Sequence, residues 1–117
     1  MIVEERIYTL KPGKAPEYLR LYEQEGLAIQ RPILGSLAGY YSTEIGPLNT
    51  VVHMWAYEDL ADRTRRRAQL TADPRWLAYV PKTAPLVEFQ ENRILNTAPF
   101  FEPMLRAMLA AVPPVPR

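Results

Sequence analysis

The residues best suited to chemistry in this sequence lie in the segment NTVVHMWAYEDL, which covers positions 49–60. The segment contains His53, the single histidine of the chain, and Trp55 follows two positions later. Residues two positions apart point to the same side of a β-strand, so we expect the imidazole and the indole to be neighbours. Histidine exchanges protons and hydrogen bonds near neutral pH. His53 is therefore the candidate catalytic residue and, with Trp55, a candidate ligand-binding residue.

A structural role also explains His53. In that interpretation the imidazole donates a hydrogen bond to a neighbouring acceptor, such as Glu4 or Glu44, and fills space beside Trp55. The sequence identifies no serine, cysteine or second histidine as a catalytic partner. The structural role and ligand binding are therefore favoured over catalysis.

Composition excludes several classes of function. A chain of 117 residues fits one domain, and a formal net charge of +1 provides no overall attraction for nucleic acid or an anionic membrane. The absence of cysteine excludes disulfides, thiolate nucleophiles and cysteine-based zinc sites. With one histidine and no D-x-D-x-D spacing, we expect no metal and no cofactor.

The order of strand and helix patterns predicts the fold. Alternating apolar residues predict strands over 2–10, 37–45, 50–57 and 86–95, and helical spacing predicts helices over 15–30, from near 59, and from 74 to just before Pro81. A tight connection at 46–49 joins the two middle strands as a hairpin. The result is a ferredoxin-like α+β domain, β-α-β-β-α-(α)-β, with an antiparallel four-stranded sheet that carries its helices on one face.

We expect this single domain to span residues 1–101, followed by an apolar segment and a Pro-rich tail over 102–117. A short helix is predicted from Pro103, and the prolines at 113–116 predict an extended end. The N-terminus has neither signal-peptide nor transit-peptide character, and no apolar run approaches the ~20 residues that span a bilayer. We therefore expect a cytoplasmic protein with no membrane span.

The third strand divides its side chains between two faces. Val52, Met54 and Ala56 are small or flexible, which suits packing beneath helices. The opposite, uncovered face is then predicted to hold Val51, His53, Trp55 and Tyr57, joined by Glu4, Arg6 and Tyr8 of the first strand. Large aromatic groups mixed with ionisable ones are typical of a pocket rather than of a solvent-facing surface.

A monomer would expose this aromatic face, so we predict a homodimer whose two sheets enclose a cavity. The predicted ligand-binding residues of that cavity are His53, Trp55, Tyr8, Arg6 and Glu4. Glu4 and Arg6 could equally form an internal ion pair with no further role.

Two further groups of residues have simple structural interpretations. The run Arg63, Arg65, Arg66 and Arg67 could bind phosphate, but acidic partners one turn away favour a solvated helix face. Trp76 is expected to anchor the short helix in the core.

Six short motifs resemble those of the NIPSNAP family over roughly residues 3–101. They are PGK at 12–14, Y-x-T-E-x-G-x-L-N at 41–49, V-x-H-x-W-x-Y at 51–57, D-R-x-x-R at 62–66, D-P-x-W at 73–76 and N-x-I-L at 92–95. Each motif alone is weak, but six in register make the resemblance specific. The resemblance implies a ferredoxin-like subunit of a dimeric α/β barrel. It implies little chemistry, because the family's biochemical activity is largely unassigned.

Two functional hypotheses follow. In the first, the protein is a non-enzymatic homodimer that binds a small, partly apolar molecule in the dimer barrel or recruits a protein partner. In the second, it is similar to the cofactor-free monooxygenases and small isomerases built on the same dimeric barrel and acts on an aromatic substrate. His53 would then be the base or hydrogen-bond donor, with Trp55 and Tyr8 orienting the substrate, but fold alone does not determine function.

Overall fold

The computed structural model describes residues 1–113, and this part of the chain forms four strands and five helices. The strands are β1 (Ile2–Leu10), β2 (Ser36–Ser42), β3 (Thr50–Tyr57) and β4 (Val87–Asn96). The helices are α1 (Ala15–Leu21), α2 (Leu27–Leu34), α3 (Leu60–Ala72), α4 (Pro74–Thr83) and α5 (Glu102–Ala110). A π-helical turn (Tyr22–Gly26) joins α1 to α2, and a 3₁₀ turn (Ala84–Leu86) precedes β4.

The four strands form one antiparallel sheet in the order β2-β3-β1-β4. This order and the helical crossovers between the strands are those of a ferredoxin-like α+β fold, which confirms the predicted fold class. The β1–β3 register sets Arg6 opposite His53 and Glu4 opposite Trp55. These groups therefore share one face of the sheet, as the alternation predicts.

Acidic side chains cap the starts of two helices. Asp59 accepts a hydrogen bond from the Asp62 amide at 2.8 Å, and the Asp62 side chain accepts one from the Glu58 amide at 3.1 Å. Asp59 thus satisfies an amide that the first turn of α3 would leave unpaired, and Asp62 ties the residue before the cap to that turn. Asp73 likewise accepts from the Arg75 amide at the start of α4.

The second strand is shorter than predicted. It ends at Ser42, and the connection to β3 is the loop over 43–49 rather than a tight turn at 46–49. Asn49 adopts a φ of +61° and ties this loop to the turn after β1, because its Oδ1 accepts from the Gly13 amide at 2.9 Å. Ile45, predicted at the strand end, lies in the loop and is exposed.

The predicted assignment of the two sheet faces is wrong. Val51, His53, Trp55 and Tyr57 are buried within one chain. Trp55 and Tyr57 pack against Ile33 and Leu34 of α2 and Leu70 of α3, whereas Val51 packs with Tyr18 of α1. Alternation along a strand separates two sets of side chains but does not say which set meets the helices. Here the large aromatic set fills the space between sheet and helices, which small side chains would leave as voids.

The helix-free face of the sheet holds the other set and is largely apolar. The strand registers place Val3, Ile7, Val52, Met54, Tyr41, Phe89 and Leu95 there. Of these, Tyr41 and Phe89 are more than half exposed. An ion pair crosses the same face, with Arg93 Nε 2.7 Å from Glu5 Oε1.

The C-terminal segment forms helix α5, close to the predicted position. Arg106 contacts both carboxylate oxygens of Glu58 at 2.8 and 2.9 Å, and Leu105 is buried. One side of α5 thus docks on its own chain, while Met104 and Met108 remain exposed. The extended end predicted for 113–116 falls, from Pro114 onward, outside the described residues.

The π-helical turn packs closely against α4 at Gly26, which has no side chain. A Cβ added at Gly26 would lie 2.7 Å from Tyr22 Cδ2 and 2.8 Å from Tyr79 Cζ. Both rings belong to buried residues, so neither can move away freely. Glycine is therefore needed here for the close approach of the Tyr79 ring, although it weakens the helix.

We predict that Gly26→Ala destabilises the protein by about 1–3 kcal/mol, because overpacking outweighs the gain of about 1 kcal/mol in helix propensity. Urea unfolding followed by circular dichroism measures the change. Thr64→Ala, at an exposed position of α3, is the matched control and should be neutral or slightly stabilising. An increase in stability for Gly26→Ala would contradict the packing described above.

Candidate functional site

A small cavity lies between the sheet and the helices, is walled mainly by aromatic residues and is partly open to solvent. Its volume is about 110 Å³. Five tyrosines line it together with a single histidine; the lining residues are Tyr8, Tyr18, Tyr22, Tyr40, Tyr79, His53, Gln30, Gln90, Trp76, Val80, Thr83, Ala84 and Val87. A cavity of about 150 Å³ holds benzene, so this one accommodates a ligand slightly smaller than benzene.

His53 contributes a fixed hydrogen-bond donor to this cavity. Trp55 Nε1–H donates to His53 Nδ1 at 2.8 Å. Indole is a donor only, so Nδ1 must be the acceptor and the neutral ring must carry its hydrogen on Nε2. Within residues 1–113, Nε2 is buried and has no hydrogen-bond partner. This cavity-lining residue therefore carries an unpaired N–H.

Neighbouring aromatic rings hold the imidazole in place. The Tyr40 ring stacks on the imidazole with 4.8 Å between ring centroids and an interplanar angle of 13°. The Tyr8 ring meets it edge to face, also with 4.8 Å between centroids. Burial, and then the positive charges of Arg6 and Arg67, lower the pKa of His53 from 6.5 to about 3. His53 is thus neutral at physiological pH.

The tyrosine hydroxyls are also neutral groups. Burial is the largest cause that raises the pKa values of Tyr18, Tyr22 and Tyr40 far above 10, and it raises that of Tyr79 to about 12. Tyr22 donates to Gln30 Oε1 at 2.7 Å. Hydrogen bonding to Tyr18 and to Thr83 also acts on the pKa values of Tyr40 and Tyr79, respectively. The cavity wall is therefore polar as well as aromatic.

Near the cavity, a buried carboxylate accepts hydrogen bonds from neighbouring arginines. Glu4 is fully buried, and its Oε2 accepts from Arg63 and Asn92 at 2.7 Å each and from Arg6 at 3.2 Å. Burial alone would raise the pKa of Glu4, but these hydrogen bonds and the charges of Arg6 and Arg63 lower it to about 2. Arg6 Nε in turn donates to the Tyr8 hydroxyl at 3.0 Å.

The predicted site residues fall into two groups. His53 and Tyr8 line the cavity. Trp55, Arg6 and Glu4 do not; they support its wall, because Trp55 fixes the histidine tautomer and Arg6, paired with Glu4, holds the Tyr8 hydroxyl. The prediction that His53 donates to Glu4 or Glu44 is wrong, since its hydrogen bond is accepted from Trp55.

Sequence reasoning missed most of the cavity wall. The predicted site residues do not include Tyr18, Tyr22, Gln30, Tyr40 or Tyr79, which all line the cavity. The available signal was the tyrosine content of α1, the π-helical turn and β2. Tyrosine brings a hydroxyl into a core that phenylalanine could fill. Trp76 packs against the core cluster as predicted and also reaches the cavity.

The arginine run on α3 is divided between two sides. Arg65 and Arg66 pair with Asp62 at 2.5 and 2.9 Å, so these two have the acidic partner one turn away that the sequence predicts. Arg63 instead turns inward to Glu4. The run is therefore not a uniformly solvated face.

Two negative observations concern the described residues only. Over 1–113, no three His, Asp or Glu side chains are grouped as metal ligands. No helix in this part of the chain has the length and apolar character to cross a bilayer.

Comparison with known proteins gives the family. The NIPSNAP family model matches residues 3–102. The chain belongs to the NIPSNAP family. Human protein NipSnap homolog 3A is 38% identical over 100 residues, which cover 83% of this chain and 39% of the human protein. The Dictyostelium discoideum NipSnap homolog is 35% identical over 92 residues. The chain thus spans about two fifths of the length of these curated relatives.

Solved structures of bacterial NIPSNAP proteins share the fold closely. A NIPSNAP family protein from Agrobacterium tumefaciens is 55% identical with a TM-score of 0.82, and the match covers 85% of this chain and 94% of that one. A NIPSNAP-like domain protein from Burkholderia xenovorans is 52% identical with a TM-score of 0.83, covering 98% and 90%. A putative antibiotic biosynthesis monooxygenase from Nitrosomonas europaea shares 15% identity and a TM-score of 0.59 over 83% of this chain and 98% of that one, which shows the fold alone.

The low pKa of His53 predicts how stability depends on pH. His53 binds a proton below 6.5 in the unfolded chain but only near 3 in the folded one. Between these values the unfolded state holds one more proton, so the free energy of unfolding falls by about 1.4 kcal/mol for each pH unit of acidification. Above 6.5 this contribution is fully present.

The contribution of His53 is best measured between about pH 6 and 5. His53 is the single histidine, and the pKa of Glu4, which also changes on folding, is 4.5 in the unfolded chain and lies below this window. Urea titrations across this window should show the slope in the wild type and a nearly flat profile in His53→Gln. Equal slopes in both proteins would contradict a neutral, buried His53.

Proposed function

We propose that this NIPSNAP protein binds a small, partly apolar molecule in the cavity beneath its helices, with His53 Nε2–H as the anchoring donor. The observation that carries the proposal is a buried, unpaired imidazole N–H in the wall of a 110 Å³ cavity. A buried donor without a partner costs ~1–3 kcal/mol, and this cost is recovered when a ligand supplies an acceptor.

The composition of the cavity supports small-molecule binding. Tyrosine rings provide flat apolar walls, and a few polar groups converge on the same space, which is the usual construction of a ligand site. The site proposed here is inside each chain, whereas the sequence predicts it between two sheets. Of the residues on which that prediction depends, His53 and Tyr8 line the site proposed here.

A second candidate function is catalysis of the cofactor-free monooxygenase or isomerase type on an aromatic substrate. Its specific support is that an N–H donor held rigidly by Trp55 could stabilise negative charge developing on a substrate oxygen. The geometry assigns His53 a donor role in this case rather than that of a base. An aromatic substrate would also need the 110 Å³ cavity to widen.

We further propose that the protein is a homodimer joined through the helix-free face of its sheet. The support is the contiguous apolar set on that face, which includes Val52, Met54 and the half-exposed Phe89. A monomer rarely exposes such a surface. The cavity and the dimer interface then lie on opposite faces of the sheet and can be tested separately. Recruitment of a protein partner and a cytoplasmic location stay predictions from the sequence.

Selective ¹⁵N labelling of histidine tests the binding proposal, because His53 gives the single imidazole signal. We expect xenon and small compounds of up to about six non-hydrogen atoms to shift the His53 resonances and raise the melting temperature. Val80→Trp places a large side chain at a half-exposed position of the cavity wall and should abolish the response.

Leu77→Trp, on the exposed side of the same helix and outside the cavity lining, is the matched control and should respond as the wild type does. If neither xenon nor any compound shifts His53, the cavity is not a binding site. An equal response in Val80→Trp and Leu77→Trp would place the binding elsewhere.

For the dimer, light scattering on a sizing column should give twice the 13.4 kDa chain mass. Val52→Glu, which sets a charge between Ile7 and Tyr41, should give the single-chain mass with unchanged circular dichroism, because an unpaired charge buried at an interface is costly. Leu77→Glu is the control and should remain dimeric. A wild-type protein of single-chain mass would refute the interface.

A further inference from the structure

We infer that the cavity selects ligands with an oxygen acceptor, a carbonyl or a carboxylate, bound to His53 Nε2–H. This inference rests on the proposed function and specifies the chemistry of the same site. It is drawn from the unpaired donor of His53 and from the charges around it.

One polar group of the cavity-lining residues is a fixed donor without a partner. Nε2 of His53 carries a hydrogen because Nδ1 is occupied by the indole N–H of Trp55. This N–H is buried and has no partner among the described residues. Only an acceptor can satisfy it, so a ligand that completes the site must bring one.

The local charge favours an oxygen that bears negative charge. Arg6 lies beside Tyr8, with its guanidinium carbon 5.6 Å from the ring centroid, and Arg67 also acts on the imidazole as a positive charge. Glu4, which faces the same region, accepts hydrogen bonds from Arg6, Arg63 and Asn92. Its single negative charge does not balance the positive charges of the two arginines. The wall near His53 therefore has a positive potential.

The geometry of the site fixes the direction of this donor. Tyr40 covers one face of the imidazole in a near-parallel stack, which holds the plane of the ring and with it the Nε2–H bond. A carbonyl or carboxylate oxygen offers in-plane lone pairs to such a donor. The volume of about 110 Å³ admits compounds smaller than benzene.

Three isosteric probes test the inference: acetone, acetate and isobutene. Each has a trigonal centre and the same number of non-hydrogen atoms, but isobutene has a methylene group in place of the acceptor oxygen. Titration into ¹⁵N-histidine protein, with melting temperature as the second readout, should show at least about tenfold tighter binding of acetone or acetate than of isobutene, or ~1.4 kcal/mol. The tighter of the two names the preferred class, carbonyl or carboxylate.

Two substitutions at His53 separate its donor from its bond to Trp55. Asparagine can place an amide oxygen near the Nδ1 position and keep the acceptor for the indole while removing the cavity donor. Glutamine can place an amide N–H near the Nε2 position. Followed by backbone amide shifts, His53→Asn should lose the preference for an oxygen acceptor, and His53→Gln should retain part of it.

Equal affinity for isobutene and both oxygen probes would overturn the inference while leaving small-molecule binding intact. Retention of the full preference in His53→Asn would also overturn it. The absence of any binding, by the three probes and by xenon, would overturn the proposed function itself.

Discussion

The burial of a polar strand face beneath helices is the constraint on which the rest of this structure depends. Most sheets place apolar side chains under their helices, but here Glu4, Arg6 and His53 occupy that position. Each buried ionisable group has to be neutralised or paired, because an isolated charge in the interior is prohibitively costly. Both solutions occur on the same face of the sheet: Glu4 stays ionised and is paired, and His53 is neutral.

These two solutions depend on one another. The arginines that stabilise the Glu4 carboxylate also act on His53, where their charge adds to burial and lowers the pKa. A protonated imidazole would face an excess of positive charge and would have to break the hydrogen bond from Trp55 to protonate Nδ1. The neutral tautomer with hydrogen on Nε2 is therefore a consequence of the whole network, and β1 supports the site although it contributes only Tyr8 to the cavity wall.

Sequence patterns predicted the elements, their order and the set of side chains that share a face, because these follow from local periodicity and capping. Sequence patterns could not determine which face of the sheet packs against the helices. Val52, Met54 and Ala56 are small enough to pack under a helix, and Trp55 and His53 are the composition expected of a pocket between subunits. The decision depends on the distance between sheet and helices, which non-local packing sets. The tyrosines of α1, β2 and α4 meet only through that packing, so no local motif revealed the cavity wall.

The tautomer of His53 restricts the chemistry that this fold can perform. A general base needs a free lone pair directed at its substrate, but the lone pair of His53 is on Nδ1 and is occupied by the indole N–H at 2.8 Å. The ring could remove a substrate proton only by surrendering that bond, and leaving the buried indole N–H unpaired would cost ~1–3 kcal/mol. Donation from Nε2 has no such cost, and the ring that carries this N–H is already held in place before a ligand enters. The same arrangement would stabilise an enolate or a bound carbonyl, so binding and catalysis in this cavity would share one physical origin, a preorganised neutral donor in a region of positive potential.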